Sequence, residues 1–246
     1  MNKTDLFRKL EGALIVSCQA LEDEPLHGAE TMAKMALAAE IGGASAIRAN
    51  GGSDIEEIQK VTRIPIIGLI KKVYPDSNVY ITPSKTEVDL LIDTGVNMVA
   101  LDGTTRHRPD GVSLKELLHY LKAKGQIVMA DISTFEEGVL AEQMGFDCVS
   151  TTLSGYTPYS RQNDGPDFEL IERLATRLRI PVIAEGKIHS PEQAKYALGL
   201  GAYAVVVGSA ITRPQEITKR YVNYLKKDDQ NGEQPVNYKG KIKRVD

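Results

Sequence analysis

The chain has 246 residues, 42% of them hydrophobic, and 30 Lys plus Arg stand against 33 Asp plus Glu for a formal charge of −3. That length can bury one sizeable core, and with no basic excess neither nucleic acid nor an anionic membrane is expected as a partner, so any anion must be held by a local arrangement. No apolar run approaches the ~20 residues that span a bilayer, and the opening MNKTDLFRKLEG lacks the continuous apolar stretch of a secretory signal; a cytoplasmic protein is expected.

Apolar β-type runs recur at regular intervals: Ala13–Cys18, Ala44–Arg48, Ile66–Ile70, Met98–Leu101, Ile127–Ala130, Cys148–Thr151, Val182–Ala184 and Ala204–Val207. Each is followed by a loop and a helical pattern, such as Met32, Met35, Ala36, Ala39 or Leu114, Leu117, Leu118, Leu121 at three- and four-residue spacing. Gly42, Gly95, Gly125, Gly145 and Gly201 stand where helices end and suit a left-handed cap. Thr134 with Glu137 reads as a capping box, and Ser190-Pro191 as a cap followed by a first-turn proline. Strict strand–helix alternation implies a parallel sheet with right-handed crossovers. Eight units in about 250 residues predict a single (β/α)8 TIM barrel. An open doubly wound sheet is the alternative, but Ser17-Cys18-Gln19-Ala20 after the first strand carries no glycine-rich fingerprint. The catalytic domain is expected over residues 1–225, with the polar, non-periodic 226–246 as a mobile tail.

In such a barrel the C-terminal strand ends carry the chemistry. Here they present Gln19, Arg48, Lys71, Asp102, Asp131, Thr151 and Thr152, Glu185, and Gly208-Ser209. A ring this polar is not explained by packing and points to an enzyme. Lys71 follows an apolar strand; desolvation at the barrel mouth lowers a lysine pKa and suits it as a base or as a Schiff-base nucleophile. The competing reading is a solvated Lys71-Lys72 rim pair, with Lys72 as the bystander. Glu185 is read as a general acid/base held near an ammonium, or as a structural partner of Lys187, Lys71 or Arg48. Arg48 and Arg213 suit bidentate binding of a phosphate or carboxylate, and Arg48 is equally suited to an internal ion pair with Asp131 or Glu185. Asp131 is preferred to Asp102, which reads as a turn. Glycine-containing loops at Gly186 and at Gly208-Ser209, each leading into a helix, offer backbone N–H groups to a phosphate.

His27, His107, His119 and His189 are scattered without metal-ligand spacing, and Arg106-His107-Arg108 reads as a solvated face. Cys18 and Cys148 read as buried free thiols. No metal is expected. Gly155-Tyr156-Thr157-Pro158-Tyr159 is a loop able to lie over the mouth.

Long motifs in order then carry a resemblance: Ile15-Val-Ser-Cys-Gln-Ala-Leu21, Asp23-Glu-Pro-Leu-His27, Ala46-Ile-Arg-Ala49, Pro65-Ile-Ile-Gly-Leu-Ile-Lys71, Tyr80-Ile-Thr-Pro83, Ala130-Asp-Ile-Ser133, Ser150 through Tyr159, Ala184-Glu-Gly186 and Ala210-Ile-Thr-Arg-Pro214. From about Gly12 to Leu225 the chain resembles the N-acylglucosamine-6-phosphate (N-acetylmannosamine-6-phosphate) 2-epimerases of bacterial sialic acid catabolism. The resemblance implies a cytoplasmic TIM barrel that interconverts N-acetylmannosamine 6-phosphate and N-acetylglucosamine 6-phosphate without metal or nicotinamide cofactor. It maps the catalytic lysine onto Lys71 and the catalytic glutamate onto Glu185. Substrate contacts fall on Gln19, Arg48, Asp131 and Arg213, and the phosphate on Gly186, Gly208 and Ser209, where the family also uses Gly-Gly. It further implies a homodimer through the last helix, Ile211 to Leu225.

Overall fold

Every strand of this chain is apolar on both faces, and the two faces go to different places. The computed structural model describes residues 1–226; the expected tail, beyond Lys226, lies outside the described residues. A helix, α1 (Lys3–Leu10), comes first, followed by β1 (Leu14–Cys18), α2 (Ala29–Ile41), β2 (Ala46–Asn50), α3 (Gly52–Val61), β3 (Ile66–Leu69), α4 (Lys85–Thr94), β4 (Met98–Asp102) and α5 (Leu114–Ala123). The second half runs β5 (Val128–Asp131), α6 (Phe135–Met144), β6 (Cys148–Ser150), α7 (Phe168–Arg177), β7 (Val182–Ala184), α8 (Pro191–Gly199), β8 (Ala204–Val207), α9 (Ser209–Thr212) and α10 (Pro214–Leu225). The eight strands are parallel and close into a barrel in chain order, β8 pairing with β1. The expected (β/α)8 barrel is therefore the fold.

Alternate residues fill the barrel: Ile15, Ala46, Ile67, Leu69, Met98, Ala100, Met129, Cys148, Ile183, Ala204 and Val206 form one buried cluster. The other set, including Val16, Cys18, Ile47, Val99, Val128 and Val149, packs under the helices. This double burial explains strands that read as continuous hydrophobic runs. Both cysteines are buried free thiols, Cys18 on the helix side and Cys148 inside the barrel.

The N-terminal helix was not legible in the sequence. Leu6, Phe7 and Leu10 of α1 join the interior cluster and plug the bottom of the barrel. Tyr203 locks the plug, its Oη donating to Phe7 O at 2.8 Å, with the two rings edge to face at 6.0 Å. Asn2 caps α1 by accepting from the Asp5 N–H at 2.9 Å. Each fully buried leucine of the plug contributes about 1.5–3 kcal/mol relative to exposure.

Other expectations need correction. β2 begins two residues later than predicted, so Arg48 stands within the strand, paired with Ser17 and Ile67 in register, rather than at its end. Arg106-His107-Arg108 is not a solvated face: His107 is exposed, but Arg108 is buried, donating to the carbonyls of Thr82, Pro83 and Asp102. Asp102, read as a turn, is instead the buried end of β4, paired with Arg106 at 2.6 Å. At the end of α2 the left-handed glycine is Gly43 (φ 96°), not Gly42. The capping box Thr134–Glu137 and the Ser190-Pro191 helix start form as read. The expected last helix is two, α9 and α10, because Arg213 leaves helical geometry (φ −122°, ψ 84°) before Pro214. Among the described residues, no helix is long and apolar enough to cross a membrane.

Candidate active site

The inward-pointing residues change character at the C-terminal rim, where β1 offers Ser17, β2 Arg48, β5 Asp131, β6 Ser150 and the residue after β7 is Glu185. Ser17, Arg48 and Glu185 line a cavity of about 210 Å³ that also takes in Gln19, Lys71, Tyr80, Thr152, Tyr156, Gly186, Gly208, Ser209 and Arg213. Asp131 has no place on the cavity surface and acts from just beneath it, fully buried. All nine residues singled out from the sequence thus converge on one end of the barrel.

Arg48 is the hub of the floor. Its Nη2 donates to Asp131 Oδ2 at 2.6 Å, and its Nε lies 3.3 Å from Glu185 Oε1. The second contact is an ion pair without hydrogen-bond alignment, since Nε has no hydrogen-bond partner. Burial opposes the Arg48 charge, but Asp131 and Glu185 more than compensate and hold its pKa above the ordinary arginine value. Burial pushes the Asp131 carboxyl up to about 6 against the pull of Arg48, with Glu185 adding to the rise. Hydroxyls complete the floor. Thr152 Oγ1 is 2.7 Å from Asp131 Oδ1 and 3.0 Å from Glu185 Oε2. Ser150 Oγ lies 3.2 Å from the same Glu185 oxygen. Thr151 Oγ1 holds the Glu185 backbone, accepting from its N–H at 3.0 Å and donating to its carbonyl at 2.8 Å.

Lys71 follows β3 on a backbone fixed from two sides. Asn50 Oδ1 accepts its N–H at 2.7 Å, and Lys71 bridges to Ile81 in antiparallel fashion. The loop that supplies Ile81 holds Thr82 at φ 45°, a left-handed conformation strained for a branched residue. Its N–H donates to Ile70 O at 2.7 Å and its hydroxyl to Ala100 O at 2.8 Å. Burial, reinforced by the positive charges of Arg48 and Arg213, lowers the Lys71 amine to about 8, while Glu185 and Asp131 pull the other way. Lys72 instead points out, pairs with Glu87 at 3.5 Å and does not line the cavity.

The opposite wall is backbone. Gly186 sits at φ +105°, a conformation that a side chain rarely tolerates. The N–H groups of Gly186, Lys187, Ser209 and Ala210 donate to no described residue. Gln19 stands beside them, its Nε2 donating to Ser17 Oγ at 2.8 Å while its Oε1 is buried with no donor. Arg213 faces the cavity but is held by Glu24, Nη2 to Oε1 at 2.5 Å. Tyr156 of the loop after β6 lines the mouth, with Lys187 Nζ 5.4 Å above its ring centre, whereas Tyr159 turns away to donate to Glu137 at 2.7 Å.

Sequence reasoning missed Ser150, Asn50 and Glu24, and named Thr151 and Thr152 without a role. Serine, threonine and asparagine at strand ends are too common to signal a site; only their geometry distinguishes them. Among the described residues, no group of three or more His, Cys, Asp or Glu side chains is placed to hold a metal ion.

Residues 32–227 match a family described as "Putative N-acetylmannosamine-6-phosphate epimerase". Curated relatives carrying the description "Putative N-acetylmannosamine-6-phosphate 2-epimerase" include one from Clostridium perfringens, 60% identical over 217 residues, or 88% of this chain and 98% of the relative. One from Caldanaerobacter subterraneus is 59% identical over 224 residues, 90% of this chain and 94% of the relative. Among solved structures, the N-acetylmannosamine-6-phosphate 2-epimerase from Clostridium perfringens superposes with a TM-score of 0.88 at 58% identity, covering 89% of this chain and 95% of that one.

Proposed function

Since the chain belongs to the N-acetylmannosamine-6-phosphate epimerase family, we propose that it interconverts N-acetylmannosamine 6-phosphate and N-acetylglucosamine 6-phosphate through the open-chain sugar, as a cytoplasmic step of sialic acid catabolism. One observation carries this reading. A lysine amine lowered to about 8 and a buried-floor carboxylate share a cavity whose far wall is unbonded backbone N–H. Such a wall, at glycine loops leading into helices, suits a phosphate.

The 6-phosphate lies against Gly186, Gly208 and Ser209, with Arg213 closing on it from Glu24. That anchors one end of the substrate and puts C1 and C2 near Lys71 and Glu185. The C2–H is a weak acid, so a near-neutral base must meet a group that stabilises the enediolate. Lys71, neutral above about pH 8 in the free protein, takes the C2 proton, and a proton returned to the opposite face of C2 of the enediolate gives the other epimer. Glu185 assists ring opening and polarises O1, held in place by Arg48, Ser150 and Thr152. Asp131 balances Arg48. The unpaired Gln19 Oε1 accepts from a substrate donor, a hydroxyl or the acetamido N–H. No metal or nicotinamide enters the scheme.

Incubation with N-acetylmannosamine 6-phosphate in D2O, followed by NMR, should show deuterium at C2 of both epimers. Glu185→Gln should lower turnover by about 10²–10⁴-fold with folding intact. A substrate adduct trapped on Lys71 by borohydride, without C2 exchange, would replace epimerisation with Schiff-base chemistry.

We further propose a homodimer through α10. No residue of α10 is buried, and Tyr221, Tyr224 and Leu225 are 70%, 77% and 80% exposed. The outer face of β8 and the start of β1 leave an apolar groove of about 340 Å³, lined by Leu14, Ala194, Leu198, Val205, Val207 and Ile211. An uncovered groove and an uncovered helix on one chain are complementary in a two-fold pair. Tyr221→Asp with Leu225→Asp should convert a dimer to a monomer in light scattering; a wild-type monomer would refute the pairing.

A further inference from the structure

The floor of the cavity is a closed ring of four side chains, Arg48, Asp131, Thr152 and Glu185, and three of the four are charged. Arg48 touches both carboxylates on one side, at 2.6 Å to Asp131 and 3.3 Å to Glu185. Thr152 touches both on the other, at 2.7 Å and 3.0 Å. A guanidinium only donates, whatever the protonation state of its neighbours. A hydroxyl has one proton to give and two lone pairs to accept with. Thr152 is therefore the one member of the ring whose hydrogen bonding can reverse without gaining or losing a proton.

We infer that Thr152 is a positioning residue for Glu185, a hydroxyl toggle that keeps this carboxyl hydrogen-bonded in one geometry whether or not it carries a proton. With Glu185 ionised, the Thr152 proton points to Glu185 Oε2, and Asp131 is held by Arg48. With a proton on Oε2, Glu185 donates to Thr152 Oγ1, and the Thr152 proton turns to Asp131 Oδ1, the nearer oxygen. Ser150 Oγ, 2.8 Å from Thr152 Oγ1 and 3.2 Å from Glu185 Oε2, can donate to Glu185 in the first state and to Thr152 in the second. No proton leaves Thr152 in either state; only the direction of its bond changes. Glu185 is thus hydrogen-bonded in both forms without a change of rotamer, so an acid can become a base inside one turnover. A buried carboxyl satisfied in only one form would have to move or lose a hydrogen bond. This role rests on Glu185 acting as the acid/base of the proposed epimerase.

Two variants and wild type test it, with N-acetylmannosamine 6-phosphate as substrate. Thr152→Val keeps the branched shape and removes the toggle, leaving Asp131 Oδ1 and Glu185 Oε2 without their shared partner. Its kcat should fall by about 10²-fold, the scale of a misplaced catalytic group, with KM changed by less than about 3-fold because phosphate anchoring is untouched. Thr152→Ser restores the hydroxyl and should recover kcat to within about 5-fold. If Thr152→Val is folded by circular dichroism and turns over within about 2-fold of wild type, or if Thr152→Ser is as impaired as Thr152→Val, the toggle is wrong and the residue only packs. If wild type itself neither epimerises the sugar nor exchanges C2–H, the functional reading falls and this inference falls with it.

Discussion

Lys71→Met should lower kcat/KM by about 10²–10⁴-fold, the range of a lost general base, and leave the fold as stable as before or more so. Methionine keeps an unbranched apolar stem of similar length and removes the ammonium that burial penalises. The pH profile separates this from a general loss of fit. In wild type, kcat/KM should rise with pH through about 8, the value to which burial and the Arg48 and Arg213 charges lower the amine; the variant should lack that limb. Stability has its own sign. The folded pKa is near 8 and the unfolded one near 10.5, so the unfolded chain binds more protons between those values and wild-type stability rises with pH across that window. Below pH 8 the penalty is constant and methionine removes it. The variant's advantage in melting temperature should therefore be greatest below pH 8 and close towards pH 10.5. Turnover within about 3-fold of wild type would remove Lys71 from the chemistry.

Arg48→Met is expected to have the largest effect on stability, about 3–5 kcal/mol at neutral pH, the cost of stranding buried charge. Asp131 is fully buried and Glu185 only 13% exposed at the side chain, and among the described residues Arg48 is the one cation that touches both. Without it the Asp131 carboxyl, which burial already holds above the ordinary aspartate range, must rise further. A carboxyl whose folded pKa lies above its unfolded value favours the fold when protonated and loses that contribution as pH rises through the folded pKa. Urea midpoints should therefore differ from wild type by less at pH 5 than at pH 8. Arg48→Met combined with Asp131→Asn should regain much of the loss. Strict additivity of the two changes would show that the ion pair is not what Arg48 supports.

How much of the site was legible depends on the kind of signal each residue leaves. Lys71, Asp131 and Glu185 follow apolar strands, and a charge at the C-terminal end of a barrel strand has few reasons to be there other than chemistry. Gly186, Gly208 and Ser209 were legible for the same reason, as small residues between a strand and a helix. Arg48 was named, but the sequence left open whether it binds a ligand or an internal carboxylate. The fold shows it touching two internal carboxylates while it also lines the cavity, and its side chain shares the inward face of β2 with Ala46, two residues before it. The pairing of Arg213 with Glu24 joins residues 189 positions apart, so no local spacing announces it. Arg108 was misread because charge in a loop ordinarily means solvent, whereas here three carbonyls replace the water.

The sequence by itself pointed to the barrel, because eight doubly apolar strands separated by helices must bury both faces in a parallel sheet, and the first strand lacks the glycine-rich loop of the open doubly wound alternative. It also determined which strand ends carry charge, since periodicity locates those ends to within two residues. Only the tertiary structure decided which charges meet. Ion pairing and hydroxyl bridging act over about 3 Å, and closing the barrel is what brings Arg48, Asp131, Thr152 and Glu185, carried by four different strands or the residues just after them, to that distance. It likewise decided that α1 is a plug and that α10 lies uncovered, because whether an apolar face is buried is a property of its neighbours in space.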